Sequence, residues 1–374
     1  MIEHIEIYNF KSIKELELDL KPINVLIGAN GVGKSNFISF FKLLKNLQND
    51  TLNTYVAENG YMDNLVYFGH EGEPFIQGQI VFSEELGKPS HRYELRLTPD
   101  HRNLALAKVN FESSDNLNVK REGQELVSDS YTSFNNTGQS VHLLREDEKV
   151  YKITVKHFND FYVYHFHDTS FSSPLKKTAR LHDNVFLRED GSNLPAFLYF
   201  LQERHPKILS LIEKVVHSIA PFFEKFILKP DRLNGEYIQL EWQEVGHDRY
   251  QNAHNLSDGT LRFIALTTLM LQPEPPKIII IDEPELGLHP SAIEKLAGLV
   301  RKVSAKSQVI LATQSIQLVN NFEPEDIIVV DRDREKRQSI FTRADEIQHI
   351  QLQDWLDEYG LGEIWFKGLI GGKP

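Results

Sequence analysis

"PINVLIGANGVGKSNFISFFKLL", residues 22–44, decides how the rest of the chain is read. Its first part, "PINVLIG" (22–28), is a short apolar run ending in glycine, the pattern of a buried strand. Its last part places Phe37, Phe40, Phe41 and Leu44 at helical spacing, continued by Leu47, which predicts an amphipathic helix. Between them "GANGVGKS" (28–35) matches G-x-x-x-x-G-K-[ST] in full. Glycines at these positions let backbone N–H groups wrap phosphate oxygens, and the N-terminus of the following helix adds a favourable dipole. Lys34 is placed to reach the β- and γ-phosphates of a nucleotide, and the Ser35 hydroxyl to bind Mg²⁺. The candidate nucleotide contacts are Gly28, Ala29, Asn30, Gly31, Val32, Gly33, Lys34, Ser35 and Asn36. A chance glycine-rich turn would lack the strand before it and the helix after it.

The partner of this loop is "IIIIDEPE" (278–285). Four isoleucines predict a central strand, and two carboxylates stand at its C-terminal end, where α/β sheets bind ligands. Asp282 is the candidate to hold Mg²⁺ through water, and Glu283 to orient and deprotonate the attacking water. Taken alone, "DE" could be a solvated strand end, but the phosphate loop weakens that reading. Two further apolar runs, "SQVILATQS" (307–315) and "DIIVVDR" (326–332), are separated by helical stretches. Such runs indicate a parallel sheet buried on both faces.

"NLSDGTLRF" (255–263) is a polar turn at the head of an apolar helix. Ser257 and Asp258 are good helix N-caps. The same turn can offer N–H groups and a hydroxyl to a phosphate. Elsewhere, residues 2–20 and 74–165 read as strand-rich, with "PFIQGQIVF", "RYELRLT" and "KVYKITV" as strands and a polar loop at 128–140. Residues 190–226 read as helical, "EYIQLEWQEV" (236–245) as strand, and the large apolar residues of the tail, 352–374, as a packed segment. The fold class that follows is α/β, with a mixed central sheet, a strand-rich N-terminal lobe and a compact helical insertion. The expected domains are 1–165, an N-terminal lobe with the phosphate loop; 166–230, the helical insertion; and 231–374, a C-terminal lobe with the strand-end carboxylates and the 257–260 turn.

The 374 residues are 41% hydrophobic and 25% charged, an ordinary globular composition with ample core. With no cysteine there is no disulfide framework, thiolate zinc site or cysteine nucleophile. The N-terminus has no secretory pattern, and no run approaches the roughly 20 apolar residues of a membrane helix, so a soluble cytoplasmic protein is expected. A net charge of -12 argues against one broad nucleic-acid-binding surface. It leaves room for a local basic groove, and the densest basic cluster, "PLKKTARLH" (174–182), reads as a solvated loop beside that alternative.

The phosphate loop, "DEPELGLHP" and the preceding "LSDGT" together resemble an ABC-type ATPase. More narrowly, the chain is similar to the SMC/RecF/OLD-like group, which includes compact AAA-type ATPases found in prokaryotic defence loci. "NFKSI" (9–13) and "LREDGSNLPAFLYFL" (187–201) extend the resemblance over nearly the whole chain. It implies a P-loop NTPase of the ABC/SMC-head type using ATP and Mg²⁺. It also implies that Ser257 and Gly259 close over the γ-phosphate held by a second subunit, giving an ATP-sandwiched homodimer or larger homo-oligomer. Leu286–His289 would be the D-loop communicating between sites, against a plain turn into the helix near Pro290. Gln314 occupies the switch position, where many relatives carry histidine; an amide can donate to a γ-phosphate oxygen or orient water but cannot titrate near neutral pH. The Q-loop glutamine has no clear counterpart, with Gln77 and Gln79 as candidates beside a plain strand reading. The coiled coil of SMC proteins is absent.

Two other motifs are set aside. His165, His167 and Asp168 in "VYHFHDTSF" could face one side of a strand, but zinc needs further ligands. "IIVVDRDRE" (327–335) resembles a TOPRIM D-x-D, yet reads better as a last strand entering a charged hairpin. The leading functional reading is an ATP-hydrolysing dimeric switch that controls a separate effector protein or nucleic-acid engagement, with antiviral defence implied by analogy alone. Open beside it are a RecF-like DNA repair ATPase that binds DNA itself and a nucleotide-stabilised scaffold with little turnover. A transporter subunit is the weakest reading, and no membrane association is expected.

Overall fold

The computed structural model describes residues 1–68, 74–83, 91–113, 118–122, 125–127, 161–168, 170–333, 335–347, 355–356 and 358–371. The loop expected at 128–140 and the strand expected at 149–155 lie outside them. The chain opens with β1 (Ile2–Phe10), β2 (Ile13–Asp19), β3 (Ile23–Ile27), α1 (Lys34–Gln48), α2 (Leu52–Glu58) and α3 (Tyr61–Leu65). Strands β4 (Ile76–Phe82), β5 (His91–Pro99), β6 (Ala105–Ser113), β7 (Asn118–Glu122) and β8 (Glu125–Val127) follow. Next come β9 (Phe161–Tyr164), β10 (Ala179–Arg180), α4 (Leu194–Arg204), α5 (Pro206–Ile219), β11 (Phe223–Ile227) and β12 (Tyr237–Ile238). Then β13 (Glu241–Glu244), β14 (Tyr250–Asn252), α6 (Asp258–Leu271), β15 (Ile278–Asp282), α7 (Pro290–Val303) and β16 (Gln308–Thr313) lead to the C-terminal part. It contains α8 (Ile316–Val319), β17 (Ile327–Arg332), β18 (Ser339–Arg343) and α9 (Leu361–Phe366).

The chain divides into two compact units, one of residues 1–161, 324–359 and 364–374, the other of 162–323 and 360–363. In the first, an antiparallel sheet runs in the order β2-β1-β4-β5-β6-β7-β8. Period-two alternation sets its buried face: Ile5 lies opposite Leu18 and Ile7 opposite Leu16, all four buried. β3 pairs in parallel with β17, which turns back through a hairpin onto antiparallel β18, the charged hairpin expected after "IIVVDR". β3 is buried along its whole length, as a strand covered on both faces must be. α1 buries Phe37, Phe40, Phe41, Leu44 and Leu47, the stripe read from the sequence, and the Phe40 ring meets Phe10 of β1 edge-on at 5.5 Å.

In the second unit, β15 and β16 pair in parallel, Asp282 lying opposite Ala312. Ile278–Ile281 and all of β16 are buried. α6 is buried at every position from Thr260 to Leu271 and so is covered on all sides, Thr260, Arg262, Thr267 and Thr268 included. α4 and α5 fill most of the stretch read as helical, 190–226, but Phe223–Phe226 belong to strand β11; Leu209, Ile212 and Val216 make the buried stripe of α5. "EYIQLEWQEV" does not form one strand. Tyr237–Ile238 pairs with β10, whereas Glu241–Glu244 pairs with β11 and β14, so competing partners divide the run between two sheets.

Candidate functional site

The glycine-rich loop leaves β3 at Gly28, where φ is +154° and an added Cβ would stand 2.2 Å from the Val330 carbonyl oxygen. Glycine is thus demanded by the neighbouring strand as well as by the turn. Gly33 is the N-cap of α1, which begins without a side-chain cap. A Cβ on Gly33 would meet the hydroxyls of Ser339 and Ser12. These serines brace the loop from outside. The Ser339 hydroxyl donates to the Val32 carbonyl, the two hydroxyls are 2.7 Å apart, and the Asn36 amide donates to Ser12 at 2.7 Å.

Lys34 is buried, 5% exposed. Its ammonium donates to the carbonyls of Gly28 at 2.6 Å and Ala29 at 2.9 Å, so the loop encloses a cation at the head of a helix. Ser35 and Asn30 are exposed at the same end, and a Cβ added to Gly31 would enter open space. A shaped backbone cradle, a held cation and a helix N-terminus are what a polyphosphate requires, so these residues fit a nucleotide.

In the other unit, β15 delivers Asp282 and Glu283, both partly exposed. Glu283 has φ +41°, a left-handed conformation that costs a non-glycine residue about 1 kcal/mol or more. Its N–H still donates to the Ala312 carbonyl at 2.7 Å, so the ladder with β16 continues through the strained residue. The Gln314 amide donates to Glu283 Oε1 at 2.7 Å. An acceptor-only carboxylate held by a neutral amide can orient water and accept its proton.

Sequence reasoning did not single out Glu285. Its Oε1 accepts from the Thr313 hydroxyl at 2.5 Å and from the Gln314 N–H at 3.3 Å, while Oε2 is buried with no hydrogen-bond partner. Burial raises its pKa above the ordinary carboxylate value, and the negative charge of Glu283 adds to the shift. The signal available in advance was the second glutamate of "DEPE".

The 257–260 turn is a helix cap. The Ser257 hydroxyl accepts from the Thr260 N–H at 3.1 Å, while Ser257 and Asp258 remain exposed. Asp258 pairs with Lys176 at 3.1 Å, which draws one lysine of the basic cluster onto the turn. A Cβ on Gly259 would lie 2.3 Å from the Gly287 carbonyl oxygen, so this glycine lets α6 seat against the Leu286–His289 loop. Buried Arg262, one turn on, donates to the carbonyls of Phe166 at 2.8 Å and His167 at 2.9 Å. His289 caps α7, its Nδ1 accepting from the Ser291 N–H at 3.3 Å.

β9 ends at Tyr164, so His165, His167 and Asp168 do not alternate on a strand. Asp168 accepts from the Ser170 N–H at 2.9 Å, and hydrogen bonding from Ser170 lowers its pKa. Among the described residues no group of three or more His, Cys, Asp or Glu side chains could hold a metal. Gln77 and Gln79 lie on β4, where the Gln79 amide donates to Glu6 at 2.6 Å. No helix among the described residues is long and apolar enough to cross a membrane.

Residues 23–320 match the family model described as "AAA domain, putative AbiEii toxin, Type IV TA system". A 118-residue stretch is 25% identical to the phosphate import ATP-binding protein PstB of Mycoplasmoides gallisepticum, and covers 31% of this chain and 35% of that relative. The chain therefore matches about a third of that protein's length. Two solved structures share the fold across nearly the whole chain. An SMC head bound to the C-winged helix domain of ScpA has a TM-score of 0.62 at 17% identity, covering 93% of this chain and 99% of its own. An Smc head with an extended coiled coil, bound to the C-terminal domain of ScpA from Pyrococcus furiosus, has a TM-score of 0.57 at 14% identity, covering 96% and 98%. The fold is that of a P-loop NTPase of SMC-head type, as the motifs implied.

Proposed function

Because the chain belongs to the family described as "AAA domain, putative AbiEii toxin, Type IV TA system", within the SMC/RecF/OLD-like ABC ATPases, we propose that it is an ATP-driven switch. The P-loop residues Gly28–Asn36 bind the phosphates, and Lys34 supplies the cation for the β- and γ-phosphates. Ser35 and, through water, Asp282 would hold Mg²⁺, which would supply positive charge to offset that developing on the phosphoryl group. Glu283 orients the attacking water and takes its proton, and Gln314 keeps the carboxylate in place. Ser257 and Gly259 complete the site of a second copy, so two chains close on two nucleotides and separate after hydrolysis.

The observation that carries this reading is the Gln314–Glu283 hydrogen bond at a residue held in left-handed geometry, the arrangement of a carboxylate positioned for chemistry. The family description supports a defence role. The ScpA-bound SMC heads support control of a separate protein, here an effector whose activity the closed and open states set. A second reading, a slowly hydrolysing scaffold, draws on Gln314, whose amide cannot shuttle a proton.

Turnover decides between them. Glu283→Gln keeps the shape of the residue and removes the base, so ATP should still bind while turnover falls by roughly two to four orders of magnitude. Turnover well above the uncatalysed background and equal in this variant and the wild type would remove Glu283 from the mechanism. A wild-type rate at the uncatalysed background would leave the scaffold.

A further inference from the structure

The parallel register of β15 and β16 sets the ends of the two strands side by side, Asp282 opposite Ala312. Three residues beyond Asp282, the Glu285 side chain turns back to the end of β16. Its Oε1 accepts from the Thr313 hydroxyl at 2.5 Å and from the Gln314 N–H at 3.3 Å. The Thr313 oxygen in turn accepts from the Ser315 N–H at 2.9 Å, and Ser315 caps α8 by accepting from the Leu318 N–H at 3.2 Å. One carboxyl oxygen therefore organises the whole turn from 313 to 315. From the middle of that turn Gln314 sends its amide to Glu283 Oε1, 2.7 Å away. The other oxygen of Glu285 is buried with no hydrogen-bond partner, an expensive arrangement that packing alone would not require.

We propose that Glu285 is a positioning residue for ATP hydrolysis: it anchors the 313–315 turn so that the Gln314 amide stays on the Glu283 carboxylate. This rests on the reading of Glu283 as the base. Glu285 need not touch nucleotide or water. It fixes the rotational freedom of the residue that does, as supporting shells around catalytic groups do. A valine or alanine at 285 would leave the strand ends paired but the turn free to take other conformations.

The test combines steady-state ATPase kinetics with amide deuterium exchange on the intact chain, using Glu285→Ala, Glu285→Gln, Thr313→Val and Gln314→Ala. Glu285→Ala and Thr313→Val should each lower kcat about tenfold with the KM for ATP changed less than about twofold. Both should also raise exchange across residues 313–319. Glu285→Gln keeps the Oε1 acceptor and should recover most of both losses. In a Gln314→Ala background, Glu285→Ala should lower kcat by less than a further factor of about two, because the pathway it supports is already gone. Full additivity of the two substitutions would overturn the proposal. So would wild-type kcat and exchange in both Glu285→Ala and Thr313→Val. Thr313→Val is nearly isosteric, and so decides the matter should Glu285→Ala not fold. If turnover proves independent of Glu283, the functional reading fails, and exchange across 313–319 separately reports whether Glu285 anchors the turn.

Discussion

Lys34 is a cation enclosed by the loop that it serves. Its 5% exposure and its two bonds to loop carbonyls mean that nucleotide phosphates would meet a charge already stripped of most of its water. Lys34→Ala removes that charge without touching the glycines that shape the loop. Nucleotide affinity should fall at least roughly a hundredfold, several charge-assisted bonds being lost together, while the circular dichroism spectrum stays that of the wild type. Titration with a fluorescent ATP analogue measures the first effect, and near wild-type affinity would show that the loop is not the phosphate site. Lys34, Asp282 and Glu283 were all legible in the sequence because fixed spacings in a loop or at a strand end determine where such side chains point. Glu285 was not. Its partners, Thr313 and Gln314, stand 28 and 29 residues away and become neighbours only through the pairing of β15 with β16.

At the scale of elements, α6 and the Leu286–His289 loop are joined through the backbone. Gly259 favours alanine by intrinsic helix propensity, by up to about 1 kcal/mol. A Cβ there, however, would stand 2.3 Å from a backbone oxygen that no rotamer change can move aside. The clash should win, and Gly259→Ala should be destabilising by about 1–3 kcal/mol in urea denaturation. A stabilised variant would mean that turn and loop are free to separate. The elements themselves were read well wherever burial imposed a clear pattern: β3, β15 and β16 as short runs dominated by apolar residues, α1 as an aromatic stripe. "EYIQLEWQEV" was legible as strand, but its alternation does not say which partner each half pairs with. β10, β11 and β14 divided it. The histidines at 165 and 167, set aside as zinc ligands on the sequence, lie beyond the strand that would have aligned them, since β9 ends at Tyr164.

At the scale of the whole molecule, the proposed switch needs two copies of the chain. Ser257 is exposed, and its hydroxyl already caps α6, so the turn can face a second copy without unfolding anything of its own. Ser257→Arg should leave ATP binding near wild type and block hydrolysis, because a large side chain fills the space where the opposing γ-phosphate must come within ~3 Å. Mixing Ser257→Arg with Lys34→Ala subunits should restore part of the turnover. In a two-fold dimer one site then combines both defects, while the other pairs an intact loop with an intact turn. The central claim is that ATP itself closes the dimer, and its most direct test is the mass of the Glu283→Gln chain by light scattering in Mg-ATP and in Mg-ADP. Closure by ATP should give a mass twice that of one chain, with a return to the nucleotide-free mass in ADP. A mass that is the same in both nucleotides would contradict it.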